Sequence, residues 1–206
     1  MKRDHIVFIV VGIIIGIIIF YSLQEQETEE SYTGKIIKER KSIHDFMLSS
    51  EESPIEAADR EDFESLKYFA VKVDYRIKAR FSPLEKKEKL MIPTSTGEEQ
   101  SYVKVGYALF SMDSREHKLL LLEPEKGKSN ELFLAFADET SGAETYGGGR
   151  YINVPKPTGS VVTIDFNLAY NPYCAYNPEF NCPLPPKENI LRIPIAAGEK
   201  DFKKQP

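Results

Sequence analysis

The chain has 206 residues, a formal net charge of −5 and 41% hydrophobic residues, which suits one globular domain with an appended segment. Acidic and basic residues are interspersed, so the sequence lacks the basic surface typical of nucleic-acid binding, and we expect no nucleic-acid partner. His5, His44 and His117 lie far apart in sequence, so we predict no metal site, and no motif predicts a cofactor.

Residues 6–23 are eighteen consecutive uncharged and mostly apolar residues. As a helix they extend about 27 Å, close to the ~30 Å of a bilayer hydrocarbon core. Lys2 and Arg3 precede this segment, whereas glutamates follow it. This asymmetry predicts a single-pass anchor in the cell membrane, with the N-terminus cytoplasmic and the domain extracytoplasmic. A cleavable signal peptide is the alternative, but the small-residue cleavage pattern is missing.

The anchor contains Gly12 and Gly16, a spacing that predicts weak self-association of membrane helices. The segment that follows, residues 24–34, is polar and acidic without periodicity and predicts a solvated linker. The expected organisation is therefore a cytoplasmic stub and anchor over residues 1–23, an acidic linker over 24–34, and a domain over 35–206.

Two short helices are predicted at the start of the domain. Apolar residues fall on one side of a helical wheel over residues 35–48, with charged residues on the other side. We expect this helix to pack on the domain, although the membrane surface is an alternative. After the break at Ser53 and Pro54, Asp59 predicts the cap of a second short helix that ends near Leu66.

Alternation of apolar and polar residues over residues 69–81 predicts a long strand with one buried face. Further strands are predicted at residues 88–92, 102–112, 118–123, 132–137, 151–154, 161–167 and 189–197. The fold class is therefore mainly β, an antiparallel β-barrel or β-sandwich of about eight strands, with two short N-terminal helices and a preceding transmembrane helix.

Residues 136–186 hold both cysteines, the triple glycine and many Tyr, Asn and Pro residues. Three runs in and near this stretch, YGGGRYI (146–152), DFNLAYNPYCAYNPEFNCPLPP (165–186) and AAGEK (196–200), resemble the domain-of-unknown-function family numbered 1684. The upstream runs FESLKYF and VDYRIKARF are also similar to that family. The resemblance implies no established activity, cofactor or catalytic residue.

Arg150 follows three glycines, a combination that can bind a carboxylate or phosphate through backbone N–H groups and the guanidinium. The structural alternative is a tight turn whose Arg150 pairs internally with Asp138 or Asp165. Around this turn the sequence offers a set of ligand-binding candidates: Asp138, Thr140, Tyr146, Arg150, Asp165, Asn167, Tyr170, Asn171 and Glu199. Asp165 and Asn167 share the polar face of one predicted strand, where they line a pocket or hydrogen-bond the following loop.

Cys174 and Cys182 are eight positions apart and would lie outside the cytoplasm, which predicts a disulfide that closes the intervening loop. Free buried thiols are the main alternative. A metal site would need further ligands beside the two cysteines, and no histidine lies close in sequence.

These observations favour a module that binds a small polar ligand or a protein through the surface formed by residues 138–171. The alternative is a hydrolase or lyase that uses Asp138, Asp165 or Glu199 with Tyr146 or Arg150, which requires these side chains to converge in one open pocket. A third interpretation treats the whole stretch as a packed structural corner.

Overall fold

The structure is a computed structural model that describes residues 11–15, 28–125 and 129–202. One long helix, α1, spans Glu29–Ser49. The six strands are β1 (Arg76–Pro93), β2 (Glu99–Met112), β3 (Arg115–Pro124), β4 (Glu131–Phe136), β5 (Arg150–Pro155) and β6 (Val161–Asp165). Short 3₁₀ turns at Ala57–Asp59, Val73–Tyr75, Phe166–Leu168, Tyr173–Ala175 and Lys187–Asn189 complete the regular structure.

The strands form one antiparallel sheet in the order β5-β4-β3-β2-β1-β6. The sheet curls until its two edges approach, and an antiparallel bridge between Tyr151 of β5 and Tyr170, just after β6, links them. The fold is therefore mainly β, a nearly closed antiparallel barrel, and the sandwich that the sequence also allowed is not formed. Near-closure protects the strand edges that an open sheet exposes.

Alternating side chains fill the barrel because every second residue of a strand points inward. Strand β3 is an exception, since its four leucines, 119–122, are all fully buried. Leu119 and Leu121 belong to the barrel core, whereas Leu120 and Leu122 pack outside it with Ile92 and Tyr102. A strand that is buried on both faces has apolar residues at consecutive positions in its sequence.

The prediction of about eight strands is wrong in number, for two reasons. The predicted strands 69–81 and 88–92 contribute to a single strand, β1, which continues through a register shift between Pro83 and Glu88. A register shift of this kind bends a strand without ending it. The other excess strand, residues 189–197, lies outside the named strands.

The start of the long predicted strand, residues 69–75, is not a strand although it alternates. Its backbone groups are bonded elsewhere: Arg40 donates to the carbonyl of Phe69, and the Asn167 side chain bonds both the N–H and the C=O of Lys72. Because these backbone groups are occupied by side chains, strand pairing begins only at Arg76.

Residues 189–197 pack against the barrel core instead of joining the sheet. Leu191, Ile193, Ile195 and Ala197 are buried in the barrel core, which is the alternation that suggested a strand. The backbone N–H of Leu191 donates to the carbonyl of Ala137, but no ladder follows. The alternation therefore correctly indicated which side chains are buried, but the segment does not form the predicted strand.

The predicted helix over 35–48 is confirmed and is longer than expected. It begins at Glu29, where Thr28 caps it by accepting a hydrogen bond from the N–H of Ser31. Residues 29–34, expected to belong to the linker, form its first turns because Tyr32 is buried against the barrel. Residues 24–27 lie outside the described residues.

The predicted second helix is wrong. Only one 3₁₀ turn, Ala57–Asp59, forms there. Arg60 turns the chain back onto the end of α1 by donating to the carbonyls of Ile55 and Ser50, so the segment has no room to extend as a helix.

Within the part of the chain that the structure describes, no helix has the length and apolar character needed to cross a membrane. Residues 11–15 are helical, but the remainder of the predicted span, 6–10 and 16–23, lies outside the described residues.

Candidate functional site

Arg150 lies at the centre of a buried polar cluster at one end of the barrel. Its guanidinium donates to Asp138 Oδ2 at 2.9 Å, and both side chains of this ion pair are essentially inaccessible to solvent. The same guanidinium donates to the backbone carbonyls of Ile195, Ala197 and Glu199. Burial lowers the pKa of Arg150 from its usual value, and the Asp138 carboxylate opposes that shift. The internal pairing with Asp138 is therefore the interpretation that the structure supports.

Asp138 is bonded on both of its oxygens. Its Oδ1 accepts from the backbone N–H and hydroxyl of Thr140 and from the N–H of Ile195. Thr140 in turn bonds the hydroxyl of Thr145 at 2.9 Å. Two predicted binding residues, Asp138 and Thr140, thus hold Arg150 in place and lie away from solvent.

Two glycines make this cluster sterically feasible. Gly149 and Gly198 adopt φ angles of +86° and +76°, which side-chain-bearing residues rarely adopt. A Cβ atom at Gly149 would lie 2.6 Å from the carbonyl oxygen of Phe136, and one at Gly198 would lie 2.7 Å from that of Ala169. The glycines of the YGGGRYI and AAGEK runs therefore meet packing requirements, and Arg150 points into the barrel instead of toward an anion.

Asp165 and Asn167 form a second polar cluster, which attaches α1 to the barrel. Both oxygens of Asp165 accept from the hydroxyl of Tyr32 at 2.9 Å, and Asn167 Nδ2 donates to the same hydroxyl oxygen. Burial and, to a lesser extent, the Asp165 carboxylate raise the pKa of Tyr32. Arg40 of α1 adds a hydrogen bond to the backbone carbonyl of Asn167 at 3.1 Å. These two candidates therefore join the helix to the barrel and face no open surface.

Glu199, Asn171 and Tyr176 form the third polar cluster. Glu199 Oε1 accepts from the Tyr176 hydroxyl at 2.5 Å and from Asn171 Nδ2 at 2.9 Å, while Oε2 accepts from the N–H of Asn171 at 3.0 Å. Burial raises the pKa of Glu199 to about 7, and the hydrogen bonds from Tyr176 and Asn171 oppose that shift. Glu199 is therefore a buried carboxyl group that titrates near neutral pH.

Two cavities lie on either side of this cluster, and Tyr176 and Glu199 line both. The larger has a volume of about 1080 Å³ and lies between residues 54–67 and 199–202. The smaller, which we call the helix–barrel cavity, has a volume of about 680 Å³. It lies between α1 and the loop after β6, and its lining includes Ile36, Ile43, Phe46, Met47, Leu168, Tyr170, Asn171, Tyr173, Tyr176 and Glu199.

Asn171 carries an acceptor that the protein does not use. The residue is 1% exposed, and its Nδ2 donates to Glu199 Oε1 and to the carbonyl of Lys200. These two acceptors fix the orientation of the amide, so Oδ1 points away from them, and it has no hydrogen-bond partner. Of the six buried described side-chain atoms that lack partners, this is the one whose residue lines either cavity.

Cys174 and Cys182 are free thiols, so the predicted disulfide is not formed. The two residues are nevertheless in contact as a hydrogen-bonded pair, since the N–H of Cys174 donates to Cys182 Sγ at 3.1 Å. Tyr146 Oη lies 3.7 Å from Cys174 Sγ. Hydrogen bonding from the Cys182 thiol lowers the pKa of Cys174 to about 6 and raises that of Cys182. The two cysteines therefore lie close together, as their spacing predicted, but they do not form the predicted disulfide.

The nine predicted binding residues do not converge on one site. Three of them, Tyr170, Asn171 and Glu199, line the helix–barrel cavity, whereas Asp138, Thr140 and Arg150 are sealed in the first polar cluster and Asp165 and Asn167 in the second. Neither Asp138 nor Asp165 lines either cavity. The carboxylates of Asp138, Asp165 and Glu199 therefore do not converge in one open pocket, as the hydrolase or lyase alternative required, and no group of side chains suited to a metal ion is found among the described residues.

Sequence reasoning missed the aromatic residues that complete the cavity. Tyr173 and Tyr176 lie in the Asn- and Pro-rich loop, and Phe46 lies on α1. The repeated aromatic residues of this loop indicate that it packs against another surface. That surface comes from a helix more than 120 residues earlier, which the loop sequence does not identify.

The fold and the site define a small β-barrel domain with a helix packed over a partly apolar cavity. The chain belongs to a family described as a protein of unknown function, DUF1684, which matches residues 61–200. It is also similar to the solution NMR structure of an uncharacterized protein from Haloarcula marismortui, with 34% sequence identity, a TM-score of 0.67 and coverage of 83% of this chain and 95% of that one. No curated protein matches the chain. The resemblance noted from the sequence runs is confirmed.

Replacing Arg150 with methionine should lower the free energy of unfolding by about 3–5 kcal/mol, because Asp138 and three carbonyls would remain buried without their donor. Urea denaturation followed by circular dichroism measures this change. Arg192→Met is the matched control, since Arg192 is an exposed arginine between the buried residues Leu191 and Ile193. Equal stability of the two variants would contradict the role assigned to Arg150.

Glu199→Gln should change the pH dependence of stability. The native state keeps the Glu199 proton up to about pH 7, whereas the unfolded chain loses it near 4.5, so ionisation destabilises the native protein. The wild-type free energy of unfolding should carry a contribution that falls as pH rises from about 4.5 to 7, by at most ~1.4 kcal/mol per pH unit. The variant lacks this contribution.

The measurement is urea denaturation of both proteins at several pH values across that window. The altered hydrogen bonds of the glutamine add an offset that does not depend on pH, so the difference between the two curves isolates the titration. Parallel curves would refute a raised pKa at Glu199.

Proposed function

We propose that this domain is a binding module for a small molecule and that the helix–barrel cavity is its binding site. The observation that carries the proposal is the unpartnered Oδ1 of Asn171, a buried acceptor on a residue that lines that cavity. A buried carbonyl oxygen without a donor costs about 1–3 kcal/mol. A ligand that donates a hydrogen bond to it recovers part of that cost, which favours binding.

The size and chemistry of the cavity support the proposal. A volume of about 680 Å³ falls within the range of roughly 300–1,000 Å³ that is typical of sites for small organic ligands. Aliphatic side chains from α1, including Ile36, Ile43 and Met47, line one side, and tyrosines from the loop after β6 line the other. Mostly apolar walls with a few polar groups are usual for such sites.

The larger cavity is a weaker candidate. Most of the charged side chains that line it are acidic, and none of its lining residues carries a buried polar atom without a partner. Its acidic residues have an ordinary explanation as a solvated surface.

Methionine methyl NMR can test binding, because Met47 lines the helix–barrel cavity whereas Met91 is exposed on β1. We expect benzyl alcohol, which has an apolar ring and one hydroxyl donor, to shift the Met47 methyl resonance of the full chain saturably and to leave that of Met91 unchanged. Ser42→Trp places a bulky ring at the cavity wall and should abolish the Met47 shift.

Lys38→Trp is the matched control, since Lys38 is exposed on the same helix outside the cavity. Equal shifts at Met47 and Met91, or a Met47 shift that survives Ser42→Trp but not Lys38→Trp, would contradict the proposed site.

We also propose that residues 6–23 anchor the domain in a membrane, with the N-terminus cytoplasmic and the domain on the other side. The length and the charge asymmetry of this segment support the proposal. The GxxxG spacing of Gly12 and Gly16 supports weak self-association through the same segment.

A paired substitution tests the anchor. Ile13→Lys combined with Ile14→Lys introduces two charges at the centre of the segment, each costing roughly 2.5–3.5 kcal/mol on insertion scales. The doubly charged variant should appear in the soluble fraction after carbonate extraction of membranes, whereas Ile13→Leu with Ile14→Leu should remain in the pellet. Identical fractionation of the two variants would argue against the anchor.

A further inference from the structure

We infer that the ligand of the helix–barrel cavity is an organic ammonium ion that carries at least one N–H donor on an apolar body. This inference rests on the proposed function, since it assigns a chemical class to the molecule that the same cavity binds. Three independent features of the lining lead to it: its charge, its aromatic rings and the state of its hydrogen-bonding groups.

The charge of the lining favours a cation. Three carboxyl side chains line the cavity, from Glu39 on α1, Glu131 at the start of β4 and Glu199 in the C-terminal segment, against one basic residue, Lys35. Glu39 and Glu131 are exposed at the rim, whereas Glu199 lies buried in the wall. The rim carboxylates attract a cation on approach, and Glu199 adds a negative charge in the wall when it is ionised.

The aromatic rings favour the same ligand. Phe46, Tyr170, Tyr173 and Tyr176 all line the cavity and come from both of its sides. The faces of aromatic rings carry partial negative charge and attract organic cations, and this attraction increases when water is excluded. Aliphatic residues such as Leu168 leave room for an apolar body.

The hydrogen-bonding groups disfavour an anion. The hydroxyl of Tyr170 already donates to Asn153 Oδ1 at 3.1 Å, and that of Tyr176 donates to Glu199 Oε1. Asn171 uses Nδ2 on Glu199 and Lys200 and leaves only an acceptor, Oδ1. The wall therefore contains an acceptor, Asn171 Oδ1, that lacks a donor. An N–H group of an ammonium ion matches an unused oxygen, whereas a carboxylate does not.

Three probes of similar shape distinguish these charges: benzylammonium, benzyl alcohol and benzoate, each titrated into the full chain at pH 7 with the Met47 methyl resonance as the readout. We expect benzylammonium to bind about tenfold more tightly than benzyl alcohol, and benzoate to leave Met47 unshifted. Binding of benzyl alcohol without a preference for benzylammonium would overturn the ammonium assignment and leave the binding site intact. Absence of a Met47 shift with all three probes would overturn both.

Rim variants test the origin of the preference. Glu39→Gln combined with Glu131→Gln should reduce the ratio of benzylammonium to benzyl alcohol affinity by about 3–10-fold, because two partly screened charges are removed. Glu85→Gln is the control, since Glu85 is exposed on β1 and does not line the cavity. An unchanged ratio in the double variant, or an equal loss in Glu85→Gln, would overturn the electrostatic basis of the assignment.

Discussion

The buried ion pair between Arg150 and Asp138 determines where the C-terminal segment of the chain lies. The Arg150 guanidinium binds the carbonyls of Ile195, Ala197 and Glu199, so a side-chain donor holds this part of the segment, whereas backbone hydrogen bonds to residues 137–139 hold its start. Because the backbone of Glu199 is one of the groups that Arg150 binds, the Glu199 carboxyl group is fixed in the wall of the helix–barrel cavity. The cavity therefore depends on an ion pair that does not itself line it.

The second polar cluster supplies the other wall. Tyr32 of α1 donates to Asp165, and Arg40 donates to the carbonyls of Phe69 and Asn167. Hydrogen bonds of this kind contribute only modestly to net stability, because folding exchanges them for hydrogen bonds to water, but their geometry is specific. They position α1 at one distance and orientation over the barrel, while apolar packing around Met47 supplies the affinity between the two. A helix held by packing alone could shift and close the cavity.

Much of the fold could be predicted from the sequence, because periodicity reports which face of a segment is buried. Residues 189–197 show the limit of that signal: alternation identified their buried side chains but not that Arg150 would replace a neighbouring strand as their partner. The candidate site was harder to predict. Asp138 and Arg150 were predicted to bind a ligand because of their residue types. A carboxylate and a guanidinium, however, indicate an internal ion pair as readily as a ligand site. The cavity that did form pairs α1 with a loop more than 120 residues away, and local spacing carries no information about such a contact.

The three polar clusters differ in one respect that bears on function. In the first two, the carboxylates and amides of Asp138, Asp165 and Asn167 use their oxygens within the protein. In the third, Asn171 holds Glu199 with its amide nitrogen and leaves its oxygen without a donor. A leucine of similar volume would avoid that cost but would release Glu199, so the amide has a structural role. The oxygen stays without a donor because of that role, and it belongs to a residue that lines the cavity together with Glu199 and several aromatic residues.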